Sequence, residues 1–422
     1  MHPALRAFRY RSFRVFFVGQ GVSILGTWMQ TVATSWLVYR LTGSAFMLGL
    51  AAAALQLPML FLPPIAGVWA DRLDRRRLLI AVQSLAAVQG LALAALTYWD
   101  VVAVWHVIAL SLFLGAMNAV ETPTRQAFLL DMVETKDDLP NAIAMQSMVF
   151  NSARVVGPTI AGVILAFSGE ALCFLLNGLS YAGVVIAYLV IRVRHRAAPL
   201  ASRALWDELA AGFRYAFGEL ATRRLILLLA ALSLFTAPWQ SLMPIYAGET
   251  FAGDSRTLGM LIGAVGLGGL GALAFLAGRP TIRGLGRIIA ACSVLAGLAL
   301  TAFALSPWLS LSLALLALFG FGLIAAVAST NTILQTIAEE GKRGRIISIY
   351  VMTFLGLAPI SNFIAGGIAE AIGAHWTIFA CGLALTAATG WFAASYQSWR
   401  RSVRPIYVKQ GIIPDSRESP PR

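Results

Sequence analysis

Two ionisable side chains, Glu121 and Arg154, stand inside long apolar runs. A charge at such a place costs about 2.5–3.5 kcal/mol on insertion scales, so it marks a substrate site, a proton relay or a structural ion pair. At ~1.5 Å per residue the two differ by roughly 8 Å in depth, within reach of a long Arg side chain on an adjacent helix. A Glu121–Arg154 pair and a proton or substrate site are therefore both open, with Asp131 as a competing acid. Around these charges, hydroxyl and amide side chains recur with helical spacing. Gln20, Ser23, Thr27, Thr31 and Thr34 fall within about 80° of one another at about 100° per residue. Ser111, Gly115, Asn118, Thr122 and Arg125 form a second stripe, and Ser233, Thr236 and Gln240 a third. Ser329, Thr332 and Thr336 give a weaker fourth stripe. A polar stripe facing hydrocarbon leaves its hydrogen bonds unmet, so these helices are expected to line an aqueous cavity. For one or two hydroxyls the alternative is a bond back to their own helix carbonyls.

Catalytic chemistry is not indicated. No nucleophile, acid and metal ligands gather at one depth, so neither an enzyme nor a metal site is expected. Cys173, Cys292 and Cys381 lack CxxC spacing and read as small buried hydrophobes. His2, His106, His195 and His375 lie at helix ends or in connections, which argues against a His relay. Without a GxxxxGK loop, ATP drive is disfavoured and no cofactor is implied. The net charge of +13 would suggest nucleic acid in a soluble chain, but its distribution points to anionic lipid.

The elements that must position these residues are apolar stretches covering 14–38, 45–70, 78–99, 104–128, 141–167, 171–191, 224–246, 257–278, 286–305, 308–332, 345–371 and 375–396. Each approaches or exceeds the roughly 20 residues needed to cross a bilayer as a helix. Hydrophobic residues make up 59% of the chain and charged ones only 12%, with a mean hydropathy of +0.76. Of the 32 Lys and Arg, only Arg40 and Arg256 fall in the outward connections and only Arg154 lies deep within a span, the rest lying at or near the inward ends. The positive-inside rule then gives an all-α protein of twelve spans with both termini cytoplasmic. The run Phe8-Arg9-Tyr10-Arg11-Ser12-Phe13-Arg14 reads as an interfacial anchor. The first span, lacking a small-residue cleavage site, is expected to be retained. Residues 192–223 divide the spans into an N-terminal half, 1–191, and a C-terminal half, 224–396. Within this linker Leu205, Leu209, Phe213 and Phe217 suit an amphipathic helix on the membrane surface. Residues 397–422 form a cytoplasmic tail.

The connection between spans 2 and 3 carries the most specific signal. It reads Gly67-Val68-Trp69-Ala70-Asp71-Arg72-Leu73-Asp74-Arg75-Arg76. Glycine permits close helix approach, and Asp71 can meet arginines or a helix N-terminus, so the loop is expected to act as a latch. In span 5, Gly157, Pro158 and Gly162 predict a bend against a close neighbour, for which the glycines of span 8, Gly259 to Gly271, are the candidate.

The loop resembles the GxLADRxGRR signature of the major facilitator superfamily at Gly67, Ala70, Asp71, Arg72, Arg75 and Arg76, departing at Trp69 and Asp74. Further runs are Trp36-Leu37-Val38-Tyr39, Leu41-Thr42-Gly43-Ser44, Pro123-Thr124-Arg125-Gln126-Ala127, Asp138-Leu139-Pro140-Asn141-Ala142 and Ala153 to Gly162. Together these resemble the transmembrane secretion effector branch, which includes siderophore exporters and macrolide efflux pumps. The resemblance implies parallel six-helix repeats around a midplane site. It also implies a secondary active exporter of small amphipathic molecules in a bacterial inner membrane, exchanging them for protons by alternating access. Many members carry an acid after the Gly of helix 1; this chain has Gly26 and then Thr27, which removes one proton carrier. A proton-coupled importer and a receptor-like scaffold are the alternatives, though a receptor would more naturally keep a folded soluble domain.

Overall fold

Gly43 and Ser44 illustrate how the chain separates its apolar runs into helices. Gly43, at φ 60°, takes the left-handed conformation that ends α1 (Arg11–Thr42), its N–H bonding the Tyr39 carbonyl. Ser44 then caps α2 (Ala45–Gln56), its hydroxyl accepting from the Met47 amide. The computed structural model describes residues 3–133, 138–191, 214, 217–279, 281–338 and 343–409. The expected surface helix of the linker lies almost wholly outside these described residues.

Prolines break the second apolar run into α2, α3 (Pro58–Phe61) and α4 (Pro63–Arg72). Next come α5 (Arg75–Tyr98), α6 (Val104–Met132) and α7 (Leu139–Val190). Within α7, Gly169 at φ 72° and ψ −174° interrupts the helical path between the expected spans 5 and 6. The later part of the chain forms α8 (Leu220–Thr236), α9 (Pro238–Ile245), α10 (Ser255–Ala277), α11 (Leu285–Ala304) and α12 (Leu309–Ile337). It closes with α13 (Arg343–Ile372), α14 (Ala374–Ala394) and α15 (Tyr396–Lys409). Among the described residues, nine helical runs are long and apolar enough to cross a membrane. Exposed Tyr98, Trp99, Trp105, Trp308 and Trp376 gather at the ends of α5, α6, α12 and α14 away from the basic connections. Such exposure suits an aromatic belt at a membrane interface.

Helices before residue 192 pack on one another, α1 and α5 against α7 and α2 against α6. The later ones do likewise, α12 against α10 and α11, α14 against α11, and α13 against α8. Two helix pairs carry most of the packing between these groups, α2 with α13 and α7 with α10. At each a glycine meets a glycine. A Cβ built on Gly49 would lie 2.8 Å from Gly366 Cα, and one on Gly162 would lie 3.1 Å from Gly259 Cα. Both crossings sit away from the basic connections. Toward the basic end the same helices carry exposed apolar side chains, among them Met148, Leu267, Val351 and Met352.

The N-terminal anchor is held by protein contacts. Ala7 is fully buried and its N–H donates to Asn141 Oδ1 (3.0 Å), while Arg9 pairs with Asp138 at 2.6 Å. These contacts give Asp138 and Asn141 a role in the Asp-Leu-Pro-Asn motif. The segment expected as a tail, 397–422, begins within α15. There Trp399 is buried and its indole N–H donates to the Ala221 carbonyl at 3.1 Å.

Candidate functional site

A cavity of about 210 Å³ lies where the two groups of helices face each other. On one side its wall comes from α1 (Gln30, Thr31, Thr34, Ser35), α2, Ser111 on α6 and Arg154 on α7. On the other it comes from Ser233, Thr236 and Leu323, from Trp239, Gln240 and Ser241 on α9, and from Phe354 and Asn362 on α13. Polar and apolar groups both line it, a lining suited to a molecule with both kinds of surface.

The stripes divide between this cavity and helix contacts. Thr31, Thr34, Thr236 and Gln240 stand on the wall. Gln20 and Ser23 do not: both are buried. Thr27 donates to the Ser23 carbonyl (2.9 Å) and shares a hydrogen bond with the Tyr181 hydroxyl (3.1 Å), so it joins α1 to the second part of α7. Asn118 and Thr122 are partly exposed on α6, off the wall. Gln30, Ser35, Gln56, Ser241 and Asn362 were not expected. Gln30 is locked in place, donating to Gln89 Oε1 (3.0 Å) and accepting from Asn177 Nδ2 (2.6 Å). Across the cavity Ser241 donates to Asn362 Oδ1 at 3.0 Å. The signal for Gln30 was its place one turn before Thr34, about 20° beyond the Ser23 edge of the α1 stripe at about 100° per residue.

The charges pair differently from the sequence expectation. Glu121 bonds Arg125, one turn along α6, at 2.7 Å. Asp131 pairs with Arg75 at 3.0 Å, both side chains being buried. Arg154 therefore pairs with neither acid. Its guanidinium carbon lies 5.7 Å from the centre of the Trp28 ring, and Trp28 meets Phe150 edge to face at 6.1 Å. Among the described residues Arg154 has no ion pair and no hydrogen bond.

The expected gating residues also resolve into distinct roles. A Cβ on Gly67 would meet nothing within 4 Å among the described residues. Asp71 lies on α4 with its side chain outside the described residues, and Arg72 is exposed. Asp74, where the signature has Gly, caps α5 by accepting from the Arg77 amide at 2.9 Å. Arg76 donates to the Tyr188 carbonyl (2.6 Å) and to that of Leu189, closing the C-terminal end of α7. The bonds of Arg75 to Ala127 and Asp131 and of Arg76 to Tyr188 and Leu189 tie helices before residue 192 to one another. Among the contacts that join the two groups, Glu370 at the opposite end accepts from Ser44 Oγ (2.9 Å) and the Phe46 amide (3.0 Å). Gly157 faces α1 and not the glycines of α10, since a Cβ there would lie 2.6 Å from Trp28 Cβ. The expected contact with α10 is made instead by Gly162 and by the carbonyl of Pro158, 2.8 Å from a Cβ on Gly259.

Residues 3–398 match the profile of the transmembrane secretion effector family. The chain is 30% identical over 379 residues to the multidrug efflux pump Tap of Mycolicibacterium fortuitum, covering 86% of this chain and 89% of that one. It is 25% identical over 378 residues to the enterobactin exporter EntS of Escherichia coli O1:K1, with 87% and 85% covered. Among solved structures, a POT family transporter in complex with 5-aminolevulinic acid superposes with a TM-score of 0.74. That match covers 92% of this chain and 97% of that one at 12% identity.

Proposed function

Because the chain belongs to the transmembrane secretion effector family of major facilitator transporters, and so is a multi-pass membrane protein, we propose that it exports small amphipathic molecules by proton antiport and alternating access. Twelve spans form two six-helix halves, residues 1–191 and 224–396, joined by the 192–223 linker. Both termini and the basic connections lie in the cytoplasm of a bacterium, at its inner membrane. The observation that supports this most is the cavity between the halves, lined by polar and apolar groups, on the basic side of two glycine crossings. Crossings that close the outer end suit the inward-facing state, one of the two that alternating access requires. Thr31, Thr34, Thr236 and Gln240 contact the substrate. Glu121, held by Arg125, is the first candidate for the proton, and the Asp131–Arg75 pair the second.

Proteoliposomes test this reading. With the cytoplasmic face outward and the lumen acidified, an exporter accumulates an added substrate in the lumen as protons leave. Collapsing the pH gradient should abolish that accumulation. Uptake that ignores the gradient would exclude proton antiport, and movement only in the reverse direction would make the protein an importer.

A further inference from the structure

The cavity holds one charge and no countercharge. Arg154 is the only ionisable side chain on its wall; no Asp or Glu among the described residues stands there. The nearby acids are engaged elsewhere, Glu121 by Arg125 and Asp131 by Arg75. A guanidinium is effectively always charged and carries five N–H donors in a planar fork. None of those donors has an acceptor among the described residues. The only described partner of the group is the Trp28 ring, which supports the cation by its face without supplying a counterion. Gly157 makes this possible, because any side chain at that position would collide with Trp28. The arrangement thus presents a bare cation to a cavity with largely apolar walls, where its attraction for an anion is stronger than in bulk water.

We propose that the substrates are amphipathic organic anions, with Arg154 as the countercharge; this deepens, and rests on, the export reading above. The anionic group takes the guanidinium fork, and the apolar body lies against Trp239, Phe354 and Leu48. Gln240 and the amide N–H groups of Asn362, which make no hydrogen bond among the described residues, receive neutral polar substituents. Organic cations are disfavoured, since they would bring a like charge against Arg154 between the same apolar walls.

Three probes sharing one ring system test the assignment by calorimetry on the full chain in detergent: 2-naphthalenesulfonate, the neutral 2-naphthalenesulfonamide, and (2-naphthylmethyl)trimethylammonium. The sulfonate should bind about tenfold or more tightly than the sulfonamide, the scale of a charge-assisted hydrogen bond. The ammonium should bind most weakly. Arg154→Gln should bring the sulfonate down to the affinity of the sulfonamide, and Arg154→Lys should keep part of the difference. Sulfonate binding no tighter than that of the sulfonamide, or an advantage that survives Arg154→Gln, overturns the proposal. Should Arg154→Gln fail to fold, the order of the three probes on the unmodified chain decides alone. Failure of export itself has a different signature: the sulfonate binds in the expected order, yet proteoliposomes do not move it under a pH gradient.

Discussion

Glu121 shows what a single residue can and cannot reveal before the fold is known. Its place in an apolar run marked it as consequential, but its partner proved to be Arg125, one turn away on the same helix, and not Arg154 on another. Replacing it with Gln leaves a largely buried arginine without its acid. Glu121→Gln is therefore expected to lower stability by about 2 kcal/mol, somewhat below a fully buried broken pair. The loss should be recovered in Glu121→Gln with Arg125→Gln but not with Arg154→Gln, as a double-mutant cycle on thermal unfolding would show. If Glu121 also carries the proton, both the single variant and the rescued one should lose gradient-driven accumulation while keeping substrate exchange. Exchange needs no change in protonation, so equal loss of both activities would remove Glu121 from that role. The α1 stripe carries the same lesson for neutral side chains. Helical spacing put Gln20, Ser23, Thr27, Thr31 and Thr34 on one face. It could not say that the first three would meet neighbouring helices and the last two the cavity, because that depends on where α1 crosses its neighbours.

At the scale of elements, the apolar runs were legible because length and hydropathy are local properties. The breaks at Pro58, Pro63 and Pro238 were less so, since prolines in such helices are tolerated when neighbours satisfy the freed carbonyls. Helix α15 was missed although its signal is present: Tyr396, Trp399, Val403, Ile406 and Tyr407 recur at three and four residues between arginines. Its short length and high charge concealed it. Trp399 is its anchor, pressed so closely on α11 that a Cβ at Gly286 would lie 2.4 Å from the indole. Trp399→Ala should cost about 3 kcal/mol or more through the cavity left behind. Trp399→Phe, which keeps most of the ring but loses the bond to Ala221, should cost about 1 kcal/mol. Thermal unfolding in detergent measures both, and equal losses would mean that the hydrogen bond, not the packing, holds α15.

At the scale of the whole molecule, the contacts that join the two groups of helices concentrate away from the basic loops, at two glycine crossings and the Glu370 cap on α2. Weakening that end should favour the state open there. Glu370→Gln removes charge from the cap and should raise the labelling of a cysteine at Thr34 by an external, impermeant thiol reagent about threefold. The background for this test has Cys173, Cys292 and Cys381 replaced. Gly49→Leu, which drives a side chain into the Asn362 carbonyl, should raise labelling further; unchanged rates in both would mean the closure lies elsewhere. The signature loop had suggested a latch at the basic end, because motif strength says where a constraint exists and not in which state it acts. The bare guanidinium of Arg154 has a consequence for the energetics of the cycle. A carrier that holds a monovalent anion is electrically neutral at this site, whereas the empty carrier returns with one positive charge. A membrane potential negative inside then pulls the empty form back toward the cytoplasm, with up to ~2.3 kcal/mol available per 100 mV for a charge that crosses the whole field. Voltage alone, applied as a potassium diffusion potential, should therefore quicken turnover, and the transporter should generate a current whose sign is that of an anion leaving the cell.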